Sequence, residues 1–465
     1  MPPSPPTRSR RAFLARAGGA ALTATALGGC LSGRLVGGET PESTQTGTDA
    51  EPIASPARAD ASRWPMGDHD TGATRHNPEV DAGTAPTSAA WTYSLPQSHL
   101  PTDPALGPER LYVGIGNHEP TPAKTRVAAF ALDDGAKQWE RPLAYTRDAT
   151  PTLASDGDGV RTLFALSGQD NSNTGPGQGE VLALDPATGE RRWRWTVGRA
   201  LSGPVVVSDG RLFVHNTSHG KTAVHALDAT TGTEVWRFEA GLVLHHAPTV
   251  ADGRVFANSG RHRLAALNAT DGTVEWETET KADDMRPVVD AKRGHVLMGH
   301  PKGLEAVSAT TGERIWSLTT TSSETKEKNY LGVIRGPVVT DDVLYVQTSD
   351  TSPFAIGDPG HLHGVDPATG EIQWSLETGR PASHALGAGG RAIVARRFPE
   401  RTGTSNDSEQ SATGDVAAVA ADGSVAWTMD GQWNPVAVGA GRMVAYRGST
   451  ESLSSQVDIR CFAFD

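Results

Sequence analysis

The chain has 465 residues, with 42 Lys plus Arg against 54 Asp plus Glu for a net charge of −12, two cysteines, and 52 Gly with 31 Pro. With 37% apolar residues, so turn-rich a composition suits many short strands joined by many turns and argues against helical bundles and doubly wound α/β sheets. The acidic balance argues against a sequence-independent grip on nucleic acid, which rests on clustered Lys and Arg, and two cysteines exclude a disulfide framework or a Cys-rich metal site.

Residues 8–30 join a basic stretch to a weakly apolar, Ala- and Gly-rich run, the pattern of a targeting segment. Ser9-Arg10-Arg11-Ala12-Phe13-Leu14 resembles the twin-arginine export signal, with Arg10 and Arg11 as the pair. Leu27-Gly28-Gly29-Cys30 resembles a lipobox, in which the cysteine becomes lipidated and opens the mature chain. The expectation is an exported, extracytoplasmic protein anchored to the cell membrane through Cys30. Cleavage before Cys30 removes Arg8, Arg10, Arg11 and Arg16 and no acid, taking the net charge from −12 to −16. Residues 31–63 hold almost no large apolar side chain and read as a flexible tether.

From residue 64 onward one module repeats. Ala183-Leu184-Asp185-Pro186-Ala187-Thr188-Gly189 with Trp193 returns as Asp228 to Gly232 with Trp236, then with Trp276, Trp316 and Trp374, and with a shortened turn before Trp139 and Trp427. In all seven copies the Trp falls four positions after the Gly, which fixes the register of the last strand. Between copies lies an apolar hairpin, typified by Pro204 to Val214 with its Asp209-Gly210 turn, which recurs from Pro104, Pro151, Pro248, Pro287, Pro337, Ala385 and Pro435. Eight hairpins against seven complete Trp units leave one deficit. The incoming strand Val457 to Asp465 ends where a turn should begin, and the strand around Trp91 has no partner upstream. Joining the two completes an eighth module and closes a ring.

The repeated AxDxxTGxxxW signature, with the leading Trp64-Pro65-Met66, His69-Asp70 and Asn77-Pro78, resembles the PQQ-like repeat family. The resemblance covers residues 64–465 and implies an all-β, eight-bladed propeller of four-stranded antiparallel blades. That family includes quinoprotein dehydrogenases and the assembly factor BamB. The Arg bias, 34 Arg to 8 Lys with excess acid, further resembles proteins of halophilic archaea. A ring of Trp91, Trp139, Trp193, Trp236, Trp276, Trp316, Trp374 and Trp427 reads as core, each indole filling the space against the next blade.

For the family's enzymes the resemblance implies pyrroloquinoline quinone in the central channel, beneath a vicinal Cys-Cys disulfide and beside Ca²⁺. Here Cys30 and Cys461 are far apart, so no catalytic residue, metal site or resident cofactor is assigned. His245-His246 point to opposite faces of a strand, and His361 with His363 supply only two ligands. Residues just before the hairpins should ring one mouth of the channel, which makes Asp103, His246, Arg286, Arg335, His384, Trp433 and Asn434 the candidate binding residues. The function expected is a noncatalytic scaffold with a monomeric body, partnering other envelope or membrane proteins and no nucleic acid. A quinone-dependent oxidoreductase is the first alternative and a solute or polysaccharide receptor the second.

Overall fold

The computed structural model describes residues 42–45 and most of 64–464, apart from loop segments of which the longest are 320–331, 350–359 and 400–411. Residues 1–41 and 46–63, with the twin-arginine pair Arg10 and Arg11, the lipobox Cys30 and most of the tether, lie outside the described residues. Arg335 lies outside them as well.

The described strands fall into eight successive antiparallel blades, the sixth and seventh joined in one sheet by a parallel pair of Gly379 with Arg397. Blade 3 shows the pattern in full: Leu201–Ser208 pairs Arg211–Asn216, which pairs Thr222–Asp228, which pairs Glu234–Ala240. The first turn of the blade carries positive φ at both Asp209 (48°) and Gly210 (71°), and Asp252 (50°) with Gly253 (70°) repeats it in blade 4. This is the two-residue turn that matches strand twist, which is why Asp-Gly marks it in the sequence. Closure is direct: Ser88–Ser94 pairs antiparallel with Asp458–Ala463, placing Trp91 opposite Cys461. The N-terminal strand thus supplies the outer strand of blade 8, whose other strands are Asn434–Gly439 and Arg442–Arg447.

The repeat motif is a blade-to-blade joint. Each ring Trp donates its indole N–H to a backbone carbonyl in the turn of the next blade: Trp139 to Pro186 (3.2 Å), Trp193 to Ala229 (3.1 Å), Trp236 to Ala269 (3.0 Å), Trp276 to Ala309 (3.1 Å). Trp316 reaches Pro367 (3.1 Å), Trp374 reaches Ala421 (2.6 Å), and Trp91 carries the ring across its closure to Leu132 (2.7 Å). Trp427 finds no such turn in blade 8 and donates instead to Ala82 (2.7 Å), in the segment leading to the closing strand. Asp185 shapes its turn by accepting the backbone N–H groups of Ala187 (2.9 Å) and Thr188 (3.0 Å). Burial opposes its ionisation, yet these bonds and Arg192 hold its carboxyl below the usual range. The residue paired with each Trp is small because the indole lies across it: Ala183, Ala226, Ala266 and Ala306 in four blades, and Cys461 in the last. The apolar clusters lie between successive blades rather than in one central core.

The glycine of the motif answers to two demands at once. Gly370 sits at φ 74°, and a Cβ there would lie 2.5 Å from the Trp316 ring, itself fully buried. A left-handed non-glycine costs roughly 1–2 kcal/mol and overpacking another 1–3 kcal/mol. Gly370→Ala is therefore expected to lower unfolding stability by about 2–4 kcal/mol in urea titration. Gly253→Ala, at φ 70° with nothing within 4 Å, should show the conformational part alone.

Two features depart from a regular ring. The second and third strands of blade 7, Arg391–Pro399 and Ala412–Val419, form a ladder running out to Pro399 opposite Ala412. Within the segment read as a tether, Glu42–Gln45 pairs antiparallel with the outer strand of blade 5, Arg314–Thr319. That outer strand carries Ile315 and Ser317 where blade 4 has Glu275 and Glu277, so apart from Arg314 it lacks the charges that usually guard an edge.

Candidate functional site: the channel mouth

The inner strand of every blade presents an unpaired edge to the channel, and residues 64–77 run along these edges in turn. The carbonyls of Trp64 and Pro65 accept the N–H groups of Leu106 and Leu153 in blades 1 and 2. Those of Thr71, Gly72, Thr74 and Arg75 accept from Val250, Val289, Val339 and Gly387 in blades 4 to 7. Asn77 accepts from Gly389 and donates its side-chain amide to Val438 of blade 8 (3.1 Å). Blade 3 is met by packing, with Met66 in one apolar cluster with Val206 and Phe213. In blades 1, 2 and 4 to 7 the segment thus gives the inner strand a backbone acceptor on its channel side.

No regular structure serves eight edges that point inward from all sides, and the backbone of the segment shows the cost. Asp68 (64°), His69 (74°), Ala73 (56°) and Arg75 (54°) all have positive φ. Such residues persist where their surroundings over-determine them. Asp70 accepts from the Thr74 backbone N–H (3.0 Å) and from its hydroxyl (2.5 Å), and the His69 ring packs against Trp64 at 4.9 Å. Burial works against the Asp70 carboxylate, but bonds from His69 and Thr74 outweigh it and hold the group below its usual range. Asp68 is gripped from two sides, by Arg75 at 2.6 Å and by Arg286 at 2.7 Å. Arg286 also donates to the Pro248 carbonyl (3.1 Å), tying the segment to the junction of blades 4 and 5.

Among the described residues, the mouth holds a cavity of about 40 Å³, lined by Trp64, Asp68, Arg75, Asp103, His384 and Leu386 with Pro435 and Val436. The Trp64 indole nitrogen is buried and has no hydrogen-bond partner among the described residues. That space accommodates a few water molecules, whereas pockets for cofactor-sized ligands run to about 300–1,000 Å³. Cys461 gives no disulfide cap; it is buried beneath Trp91, with burial pushing its thiol up to about 12. The residues present do not fit a quinone.

The candidate residues separate. Asp103 and His384 line the cavity, and Arg286 stands beside it through Asp68. His246 is exposed at the start of blade 4. Trp433 is buried among apolar side chains of blades 7 and 8, while Asn434 accepts from Arg397 (3.0 Å). Of the histidine pairs, His245 lies outside the described residues. His363 has both ring nitrogens committed, to Thr348 and Ser375 at 2.8 Å each, and burial pushes it down to about 3. It is a neutral core histidine. Among the described residues no three His, Cys, Asp or Glu side chains converge as metal ligands. Reading the sequence missed Asp68, Arg75 and the threading itself, since the motif at 64–78 served there as a family mark only.

A profile of the family described as outer membrane protein assembly factor BamB matches residues 177–346 and 301–456. No curated protein matches the chain. Among solved structures, a quinohemoprotein alcohol dehydrogenase from Pseudomonas putida superposes with a TM-score of 0.59 at 13% identity, over 88% of this chain and 82% of that one. A europium-containing methanol dehydrogenase gives 0.58 at 14%, over 87% and 98%. The computationally designed Ika8 protein gives 0.54 at 10%, over 81% and 100%. At such identities these likenesses speak to fold alone.

Proposed function

We propose that this chain, which belongs to the PQQ-like repeat β-propeller family, is a noncatalytic, lipid-anchored extracytoplasmic scaffold for other envelope or membrane proteins. The observation that carries the reading is the use of the channel. Residues 64–77 occupy the inner edges, and the mouth retains about 40 Å³. A propeller whose channel is filled by its own chain offers its loop face and blade edges, which suit macromolecules better than small substrates. The anchor rests on the sequence around Cys30 and on the low-complexity stretch behind it.

Cys30→Ser is expected to move the protein from the membrane to the soluble fraction with an unchanged melting temperature. Crosslinking and co-purification from native membranes should recover a partner with the unsubstituted protein. The scaffold reading fails if no partner is recovered, and reduction of a redox dye by alcohols or aldose sugars, after pyrroloquinoline quinone and Ca²⁺ are added to purified protein, would put the oxidoreductase reading in its place.

A further inference from the structure

Most arginines of the propeller are neutralised. Arg194 pairs Glu180 at 2.7 Å, Arg254 pairs Glu275 at 2.7 Å, Arg263 pairs Glu277 at 2.9 Å, and Arg396 holds Asp415 through both oxygens. Between blades 7 and 8 three are not: Arg397, Arg447 and Arg460 have no ion pair among the described residues, in a chain whose net charge is −12. All three contact one residue, two of them its ring and one its main chain. The Arg460 guanidinium lies 4.2 Å from the Trp433 ring centroid and that of Arg447 lies 5.4 Å away, while Arg397 donates to the Trp433 carbonyl (3.3 Å). Phe462 meets the same indole edge-on at 5.5 Å.

Of the carboxylates nearby, Asp415 is taken by Arg396, while Asp458 faces Arg447 across the strand pair without forming an ion pair with it and accepts the Ser94 hydroxyl at 2.6 Å. Arg397 is half-buried, and its burial is offset only in part by Asp415. A guanidinium stacked on an indole uses its face and keeps its edge N–H groups for acceptors in its own plane, the arrangement that receives carboxylates. Arg460 spends only its Nε–H, on the Thr92 hydroxyl at 2.9 Å. Arg447 is exposed, and Arg397 and Arg460 are partly so.

We propose that the surface where blades 7 and 8 meet is the docking site for an acidic peptide segment of a partner protein, with Arg397, Arg447 and Arg460, grouped about the buried Trp433, receiving its carboxylates. This rests on the scaffold reading and assigns it a surface. A peptide segment suits this surface better than an anionic bilayer does. A short segment can meet the three cations alone, whereas a flat bilayer is also brought against the neighbouring carboxylates of Asp415 and Asp458, inside the screening length of about 8 Å.

The test uses the purified protein and a fluorescein-labelled peptide of alternating Glu and Gly, read by fluorescence anisotropy. Saturable binding is expected, weakened at least tenfold by the triple substitution Arg397→Gln, Arg447→Gln, Arg460→Gln and by raised salt. Arg191→Gln with Arg194→Gln, at the rim of blade 2, should leave it unchanged. Exposed Arg447→Gln alone should weaken binding a few-fold at an unchanged melting temperature, and Arg447→Lys should restore part of it. Absence of saturable binding, or equal binding by the triple variant, overturns the site, as does a loss confined to phosphatidylglycerol vesicles. Co-purification of a partner that survives the triple substitution also overturns it and leaves the scaffold reading standing, whereas recovery of no partner by either protein removes that reading itself.

Discussion

Deleting residues 1–62 is expected to leave a cooperatively folding propeller, whereas deleting residues 1–83 or 1–95 should abolish the cooperative transition. Among the described residues, the first deletion removes the strand Glu42–Gln45 from the edge of blade 5. The second removes the threading segment, so the N–H groups of Leu106, Leu153, Val250, Val289, Val339, Gly387 and Gly389 lose their acceptors together, and Trp64 and Met66 leave their clusters. A buried donor left unsatisfied costs about 1–3 kcal/mol, and even partial rehydration of seven leaves a deficit comparable with a domain's net stability of about 5–15 kcal/mol. The third deletion also removes Trp91 and the outer strand of blade 8, for which loss of the aromatic alone costs roughly 3–5 kcal/mol. Melting followed by circular dichroism separates the three proteins. Equal melting temperatures for the first two would show that the threading segment decorates the channel instead of holding it.

The contrast between closure and threading shows which parts of this fold are legible from sequence. Trp, Gly and Asp of the repeat act within one turn and one neighbouring blade, so their spacing survives in the sequence at a fixed interval, and the mismatch in module count points to the pairing of residues 88–94 with 458–463. The segment 64–77 has no period because its contacts have none. Thr71 answers to Val250, Thr74 to Val339 and Asn77 to Val438, partners far along the chain whose positions around the ring dictate each φ. The cluster about Trp433 is hidden for a similar reason. Arg397, Arg447 and Arg460 come from strands of two blades, and only the folded ring shows that they meet at Trp433, two at its indole and one at its carbonyl, with no ion pair among the described residues. A mouth residue inferred from its place before a hairpin, such as Asp103, is found at the cavity because blade geometry is regular; Trp433, inferred in the same way, turns inward because Phe462 and the arginine stems offer it a better surface.

Asp68 is where the threading segment is most exposed to a single change. Its carboxylate joins Arg75, on the same segment, to Arg286, on blade 5, with side-chain exposures of 15%, 9% and 10% that leave little water to replace either contact. Removing one partner of a buried ion pair leaves the others uncompensated, at a cost of about 3–5 kcal/mol. Its φ of 64° confuses an alanine substitution with backbone strain, whereas Asn tolerates the left-handed region and keeps the shape of the side chain. Asp68→Asn is therefore expected to destabilise by most of that amount, and Asp68→Ala by about 1 kcal/mol more, in urea titrations at neutral pH. Acid adds an independent measure. Burial alone would raise the Asp68 pKa, but Arg75 and Arg286 outweigh it and the folded-state value is lowered from 3.8. The unfolded chain then binds the proton first, so the contribution of Asp68 is complete above about pH 4 and is lost as pH falls through the lower folded value. The stability difference between the parent and Asp68→Asn should accordingly be constant from pH 7 to about pH 5 and shrink below pH 4. A difference that stayed constant to pH 2 would mean that Asp68 acts through its shape and its backbone, with the two arginines held by other means.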